Sequence, residues 1–230
     1  MNHRRLQPPL GDRPRVCLGI DPPELLSSAK LVHDADCSQI VHFEIPSPDS
    51  SMRTLLTEQE LHAGVNRLAG EIDACYGNHP LTVIAVMTGS LVLFADLIRM
   101  LSMPLRVGIV QASSYRGGTD AGELVVDRAM MIDVVGRDVL LVDDIFDTGK
   151  TLHRLLDELG QLGASSVRSA VLLRKQRPHA VSIRPDFTAF EIADEFVVGY
   201  GLDYRDHFRN LPFLGVLEAD DLAALSGESA

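Results

Sequence analysis

The sequence predicts an α/β domain built on a mostly parallel central sheet flanked by helices. Three observations carry this. Strand-like runs alternate with helical patterns along most of the chain, the order that winds strands into one sheet with helices across its faces. The runs Leu81–Met87 and Val139–Val142 are near-continuously apolar rather than alternating, as strands buried on both faces are. Each polar cluster follows directly on a strand, where ligands bind in such sheets.

Composition is consistent with this. The 230 residues, 46% hydrophobic and 23% charged, suit one sizeable domain with or without a small appendage. No apolar run reaches the roughly 18–20 residues needed to cross a bilayer, so no membrane partner is expected. The first residues, 1–11, carry basic groups without an apolar segment after them, so no secretory signal is expected there. Cys17, Cys37 and Cys75 show no CxxC spacing, so a reduced, cytoplasmic setting is expected, without a disulfide framework or zinc site. The formal charge of −11 argues against nucleic acid as a partner.

In chain order, residues 1–38 contain five prolines (Pro8, Pro9, Pro14, Pro22, Pro23) and weak periodicity, and read as an irregular extension. The domain proper is expected over 39–218, with 219–230 as a tail. Ile40–Ile45 reads as a short strand ended by Pro46. Thr57 and Glu60 form a capping-box signature for a helix to about Tyr76, with Leu61, Val65, Leu68 and Ile72 on one face and Gly77-Asn78 as its stop. After strand Leu81–Met87, Thr88-Gly89-Ser90 turns into a helix over Leu91–Leu101. A strand over Leu105–Val110 follows. Ser113 to Thr119, polar and glycine-rich, reads as a mobile loop. Leu124–Val135 is a further strand candidate. The central strand, a helix to Leu162, a strand over Val167–Leu173, the basic run Arg174–Arg177 and a tail of short strands over Phe187–Leu217 complete the pattern.

The chemistry concentrates in Val139–Leu152. An apolar strand leads into Asp143-Asp144, then Ile145-Phe146, then Asp147-Thr148-Gly149-Lys150-Thr151 and a helix. Gly149-Lys150-Thr151 is not a nucleotide P-loop, because the glycine that motif needs five residues earlier is Asp144, and three carboxylates would repel a triphosphate. Thr148 to Thr151 instead offer N–H groups and hydroxyls at a helix start, suited to a monophosphate. Asp143 and Asp144 are acceptors for vicinal sugar hydroxyls or for Mg²⁺. Asp147 is placed to act as a general base near the sugar.

This stretch resembles the phosphoribosyl pyrophosphate (PRPP) motif of the type I phosphoribosyltransferases, in particular the purine-salvage branch that uses hypoxanthine and guanine. Ser114-Tyr115, Arg174-Lys175, Phe196–Tyr204 and Phe208–Leu211 resemble further segments of that family, in its order. The resemblance implies that family's fold, including a small hood from terminal segments, and the transfer of a 5-phosphoribosyl group from PRPP to a purine. It implies Asp147 as catalytic base and Asp143, Asp144, Asp147, Thr148, Gly149, Lys150 and Thr151 as PRPP-binding, together with Thr88, Gly89 and Arg209. Lys175, Phe196 and Val197 would bind the purine, and the Ser114-Tyr115 loop would close over the site. Asp203 would bind the Mg²⁺ cofactor, with Asp143 and Asp144 as further ligands. A homodimer or homotetramer is expected.

Two departures stand out. Thr88 occupies a position where many relatives have lysine, so pyrophosphate would rest on backbone N–H groups and the Thr88 and Ser90 hydroxyls. His179 occupies a position where some relatives have arginine. A phosphoribosyltransferase for xanthine or a pyrimidine is the alternative enzyme, and a nucleic-acid-binding regulator on the same fold is the alternative outside catalysis.

Overall fold

Strand β2 (Leu81–Met87) and strand β5 (Asp138–Phe146) lie side by side and parallel at the centre of a six-stranded sheet. The computed structural model describes residues 52–114, 124–127, 132–178, 180–218 and 221. The expected extension, the Ile40–Ile45 strand, Tyr115, His179 and nearly all of the 219–230 tail fall outside the described residues. The sheet order is β4-β3-β2-β5-β6-β7, with β3 at Leu105–Ser114, β4 at Leu124–Asp127, β6 at Ser166–Lys175 and β7 at Phe187–Ile192. Five strands from β3 to β7 run parallel, and only β4 is antiparallel.

Parallel neighbours need long crossovers, and helices supply two of them. Helix α2 (Leu91–Met100) joins β2 to β3, and α3 (Lys150–Gln161) joins β5 to β6. Helix α1 (Glu58–Tyr76) precedes β2. The central strands bury side chains on both faces. Val83, Ala85, Leu140 and Val142 pack with Leu61, Leu68 and Ile72 of α1 and Leu93 and Leu97 of α2. Ile84, Val86, Val139 and Leu141 pack with Leu152, Leu155 and Leu159 of α3. This is why both strands are almost wholly apolar until their carboxyl ends.

A second sheet, β1-β9-β8, is antiparallel and joins Arg53–Leu56 (β1) to Leu214–Val216 (β9) and Val197–Val198 (β8). It is the hood from terminal segments, and Val197, Leu214 and Val216 of it enter the same apolar cluster as α1 and α2.

Arg53–Leu56 is a strand that no local pattern announces. Two expectations need correction. Strand β3 runs on to Ser114, so Ser113 and Ser114 belong to a strand paired with Val125 and Leu124 rather than to a loop. The segment read as one strand over Leu124–Val135 is strand only to Asp127 among its described residues.

Candidate active site

The sheet has a switch point between β2 and β5. The chain leaves β2 towards β3 on one side and leaves β5 towards β6 on the other, so a crevice opens beyond their carboxyl ends. A cavity of about 380 Å³ fills it. Its walls are the loop after β2 (Thr88, Gly89), the end of β5 and the turn into α3 (Asp143, Asp144, Asp147, Thr148, Gly149, Thr151), and two hood residues, Asp203 and Arg209.

The two adjacent aspartates are not a solvated strand end. Asp143 is only 7% exposed. Its Oδ1 accepts the Asp144 N–H at 3.0 Å, and Asp144 Oδ1 accepts the Ile145 N–H at 2.7 Å. Burial first, and then the neighbouring Asp144 carboxylate, push the Asp143 carboxyl well above the ordinary range. Burial also raises Asp144, against the lowering effect of its hydrogen bonds and of Arg209.

The phosphate turn is shaped by Gly149. It caps α3 at φ 80°, in the left-handed region, and a Cβ there would lie 2.5 Å from Val181 Cγ2 and 2.7 Å from Phe146 Cζ. The Ala180 N–H donates to the Thr148 carbonyl at 3.0 Å and ties the turn to the chain beyond β6. Lys150 is the first residue of α3 and exposed, and it is not among the cavity-lining residues.

The loop after β2 begins with a cis peptide between Met87 and Thr88. Gly89 packs so tightly that a Cβ would lie 1.6 Å from Asp144 Oδ2. Ser90 does not serve the cavity as expected. It is fully buried, and its hydroxyl donates to the Val86 carbonyl at 2.6 Å, which holds the first turn of α2.

On the hood, Asp203 Oδ1 pairs with Arg209 Nη2 at 2.9 Å and Asp203 Oδ2 accepts the Asp206 N–H at 2.8 Å. Arg209 Nη1 donates to the Gly201 carbonyl at 2.8 Å. Phe196 is 42% exposed, with its ring edge-on to Tyr204 at 5.7 Å, an apolar surface facing solvent. Val197 is buried and pairs with Val216. Lys175 ends β6, and its Nζ lies 3.3 Å from Asp194 Oδ1. None of these three lines the cavity proper. Arg177 Nη1 lies 3.1 Å from Asp147 Oδ1 and 3.3 Å from Asp194 Oδ1, pairings that no local sequence pattern marks. Asp194 lies two residues before Phe196 in a loop without periodicity, and only the ion pairs reveal it.

Asp143-Asp144, the turn shaped by Gly149 and the flank of Lys175 and Phe196, at the switch point of a parallel sheet, are the segments by which the sequence resembles the phosphoribosyltransferases. The chain belongs to that family: the model described as the phosphoribosyl transferase domain matches residues 51–205. Similar curated relatives include hypoxanthine-guanine phosphoribosyltransferases. That of Streptococcus pneumoniae (strain R6) is 36% identical over 169 residues, covering 73% of this chain and 94% of the relative. That of Bacillus subtilis is 36% identical over 167 residues, covering 72% and 93%. A crystal structure of the Bacillus anthracis hypoxanthine-guanine phosphoribosyltransferase superposes with a TM-score of 0.68 at 34% identity, covering 72% of this chain and 98% of that one.

Proposed function

We propose that the protein transfers the 5-phosphoribosyl group of PRPP to hypoxanthine or guanine, giving IMP or GMP and pyrophosphate in purine salvage. The observation that carries this reading is the convergence of Asp143-Asp144, the Asp147–Thr151 turn and the Thr88-Gly89 loop on one cavity, with Lys175 at the adjacent strand end.

The chemistry follows from these groups. Asp143 and Asp144 accept from the ribose hydroxyls, and the turn N–H groups hold the 5′-phosphate. The bond between C1′ and the pyrophosphate oxygen breaks as purine N9 bonds to C1′. Asp147 accepts the proton that leaves purine N7, so that the product purine is neutral. Lys175 donates to a 6-oxo group, which selects hypoxanthine and guanine over adenine. Phe196 offers a face for stacking.

Four aspartates and one arginine line the cavity. Such a wall repels a free polyanion unless a cation accompanies it. Mg²⁺ fits this donor set, because it is ordinarily held by one or two carboxylates plus substrate phosphates and water rather than by a protein cage. Asp203 would hold it, with Asp143 or Asp144 as a second carboxylate, and the ion would supply charge that makes pyrophosphate a better leaving group.

A turnover assay with PRPP, Mg²⁺ and a panel of bases tests the reading. Product with hypoxanthine or guanine is expected, and product with xanthine or a pyrimidine alone would replace the base assignment. Failure with every base would sink the enzyme. Asp147→Asn is expected to lower kcat by about 10²- to 10⁴-fold. We place the enzyme in the cytoplasm as a homodimer or homotetramer, the latter checked by light scattering. No helix among the described residues is long and apolar enough to cross a membrane.

A further inference from the structure

The basic run after β6 is sorted by the fold into separate partners. Arg174 Nη1 pairs with Glu191 at 3.2 Å, and Gln176 Nε2 reaches the same carboxylate at 3.3 Å. Lys175 Nζ lies 3.3 Å from Asp194 Oδ1. Arg177 Nη1 lies 3.3 Å from that same Asp194 oxygen and 3.1 Å from Asp147 Oδ1. Two backbone bonds set this up. The Gln176 N–H donates to the Ile192 carbonyl at 2.8 Å, and the Arg177 N–H donates back to the Lys175 carbonyl at 3.0 Å, so the chain reverses at the end of β6.

We propose that Arg177 and Asp194 form a bridge that positions Asp147 and Lys175 together, coupling the proton acceptor to the group that reads the purine. The inference rests on the phosphoribosyl-transfer reading above. One guanidinium nitrogen holds the Asp147 carboxylate in orientation from the side of the purine lysine. One carboxylate oxygen holds both that guanidinium and the ammonium of Lys175. Lysine is a point charge on a flexible stem, and at 12% side-chain exposure it needs a fixed counter-charge to stay where a 6-oxo group would meet it. The three segments involved leave three adjacent strands, β5, β6 and β7, so the bridge also fixes the spacing of their carboxyl ends. Arg177 and Asp194 are positioning residues, because each acts through Asp147 or Lys175.

The test is a double-mutant cycle in the full chain, with hypoxanthine, guanine and adenine as bases. Arg177→Met is expected to lower kcat about 10-fold with little change in the KM for the purine. Asp194→Asn is expected to lower kcat about 10-fold as well, because Arg177 loses the carboxylate that anchors it beside Asp147, and to raise the KM for 6-oxo purines about 10-fold with weaker discrimination against adenine. The double variant is expected to lose no more in kcat/KM than about the larger single loss, since either change breaks the same bridge. Arg177→Lys should stay within about threefold of wild type, because a single nitrogen serves both carboxylates and an ammonium can replace it. These pairs are part-exposed, so the melting temperature should move by no more than about 2–4 °C, which separates a kinetic effect from a folding one. Single variants with wild-type kinetics, losses that multiply in the double variant, or a faster Arg177→Met enzyme would each overturn the bridge. Absence of turnover in the wild type would instead overturn the transfer reading, and the bridge with it.

Discussion

Asp143 illustrates how the site opposes the fold at the level of one residue. The carboxyl is buried at the end of a strand whose preceding residues, Val139 to Val142, are all 0% exposed. Burial and Asp144 raise its pKa, so the folded chain binds that proton more tightly than the unfolded chain does. The stability it contributes is therefore complete below the ordinary carboxylate value of 3.8 and is lost as pH rises through the raised folded value. An amide of the same shape does not ionise. Asp143→Asn is expected to melt higher than wild type at neutral pH, with the difference closing as pH falls towards 3.8. It should also raise the KM for PRPP by about 10- to 100-fold, the worth of one charge-assisted hydrogen bond. Melting curves across pH, paired with kinetics, check both. A variant that melts lower at neutral pH would show that Asp143 is a structural group rather than a strained functional one. The sequence made Asp143 visible because carboxylates directly after an apolar strand are conspicuous. It could not make Asp194 visible, since one aspartate in a loop looks like any other until Lys175 and Arg177 fold against it.

Elements differ in how far local sequence decides them. Helix α1 is legible because its signals are local. The Thr57 side chain accepts the Glu60 N–H, the Glu60 side chain accepts the Thr57 N–H, and the apolar residues at helical spacing are the ones buried. Strand β2 is legible because its apolar run is bounded on both sides. Strand β1 is not, because its four residues show no alternation and its partner is β9, at the far end of the domain. The polar end of β3 reads as loop for a similar reason: its backbone groups are satisfied by β4, which no local pattern announces. The cap on α1 offers a clean measurement of the local part. Thr57→Ala is expected to cost about 1 kcal/mol, seen as a melting temperature lower by about 2–4 °C. Thr57 does not line the cavity, so kcat and KM should hold at wild-type values. An unchanged melting temperature would mean that packing of α1 against the sheet, and not the cap, fixes where the helix begins.

For the molecule as a whole, the cavity exists because two sheets meet over it. Asp143 and Asp144 come from the six-stranded sheet, whereas Asp203 and Arg209 come from the hood chain between β8 and β9. Glycines let the layers close. A Cβ on Gly89 would strike Asp144, and a Cβ on Gly201 would lie 2.2 Å from the Gly89 carbonyl. Hood loop and β2 loop are thus stacked at backbone contact, with Gly201 at φ 100°, and the Asp144 side chain from the β5 end packs directly on Gly89. The sequence displayed these glycines as turn residues but not their mutual contact, which joins parts of the chain far apart. A ligand spanning the layers should stabilise them together. PRPP with Mg²⁺ at about 100 times its Kd should add about 2.7 kcal/mol to stability, or roughly 5–11 °C in melting temperature. Gly201→Ala meets both a left-handed backbone and the Gly89 carbonyl, so it must push the hood loop away from the β2 loop. Its melting temperature without ligand should fall, and the shift produced by PRPP with Mg²⁺ should shrink to less than half that of wild type. A full ligand shift in Gly201→Ala would mean that PRPP is held by the six-stranded sheet alone and that Asp203 and Arg209 play no part in holding it.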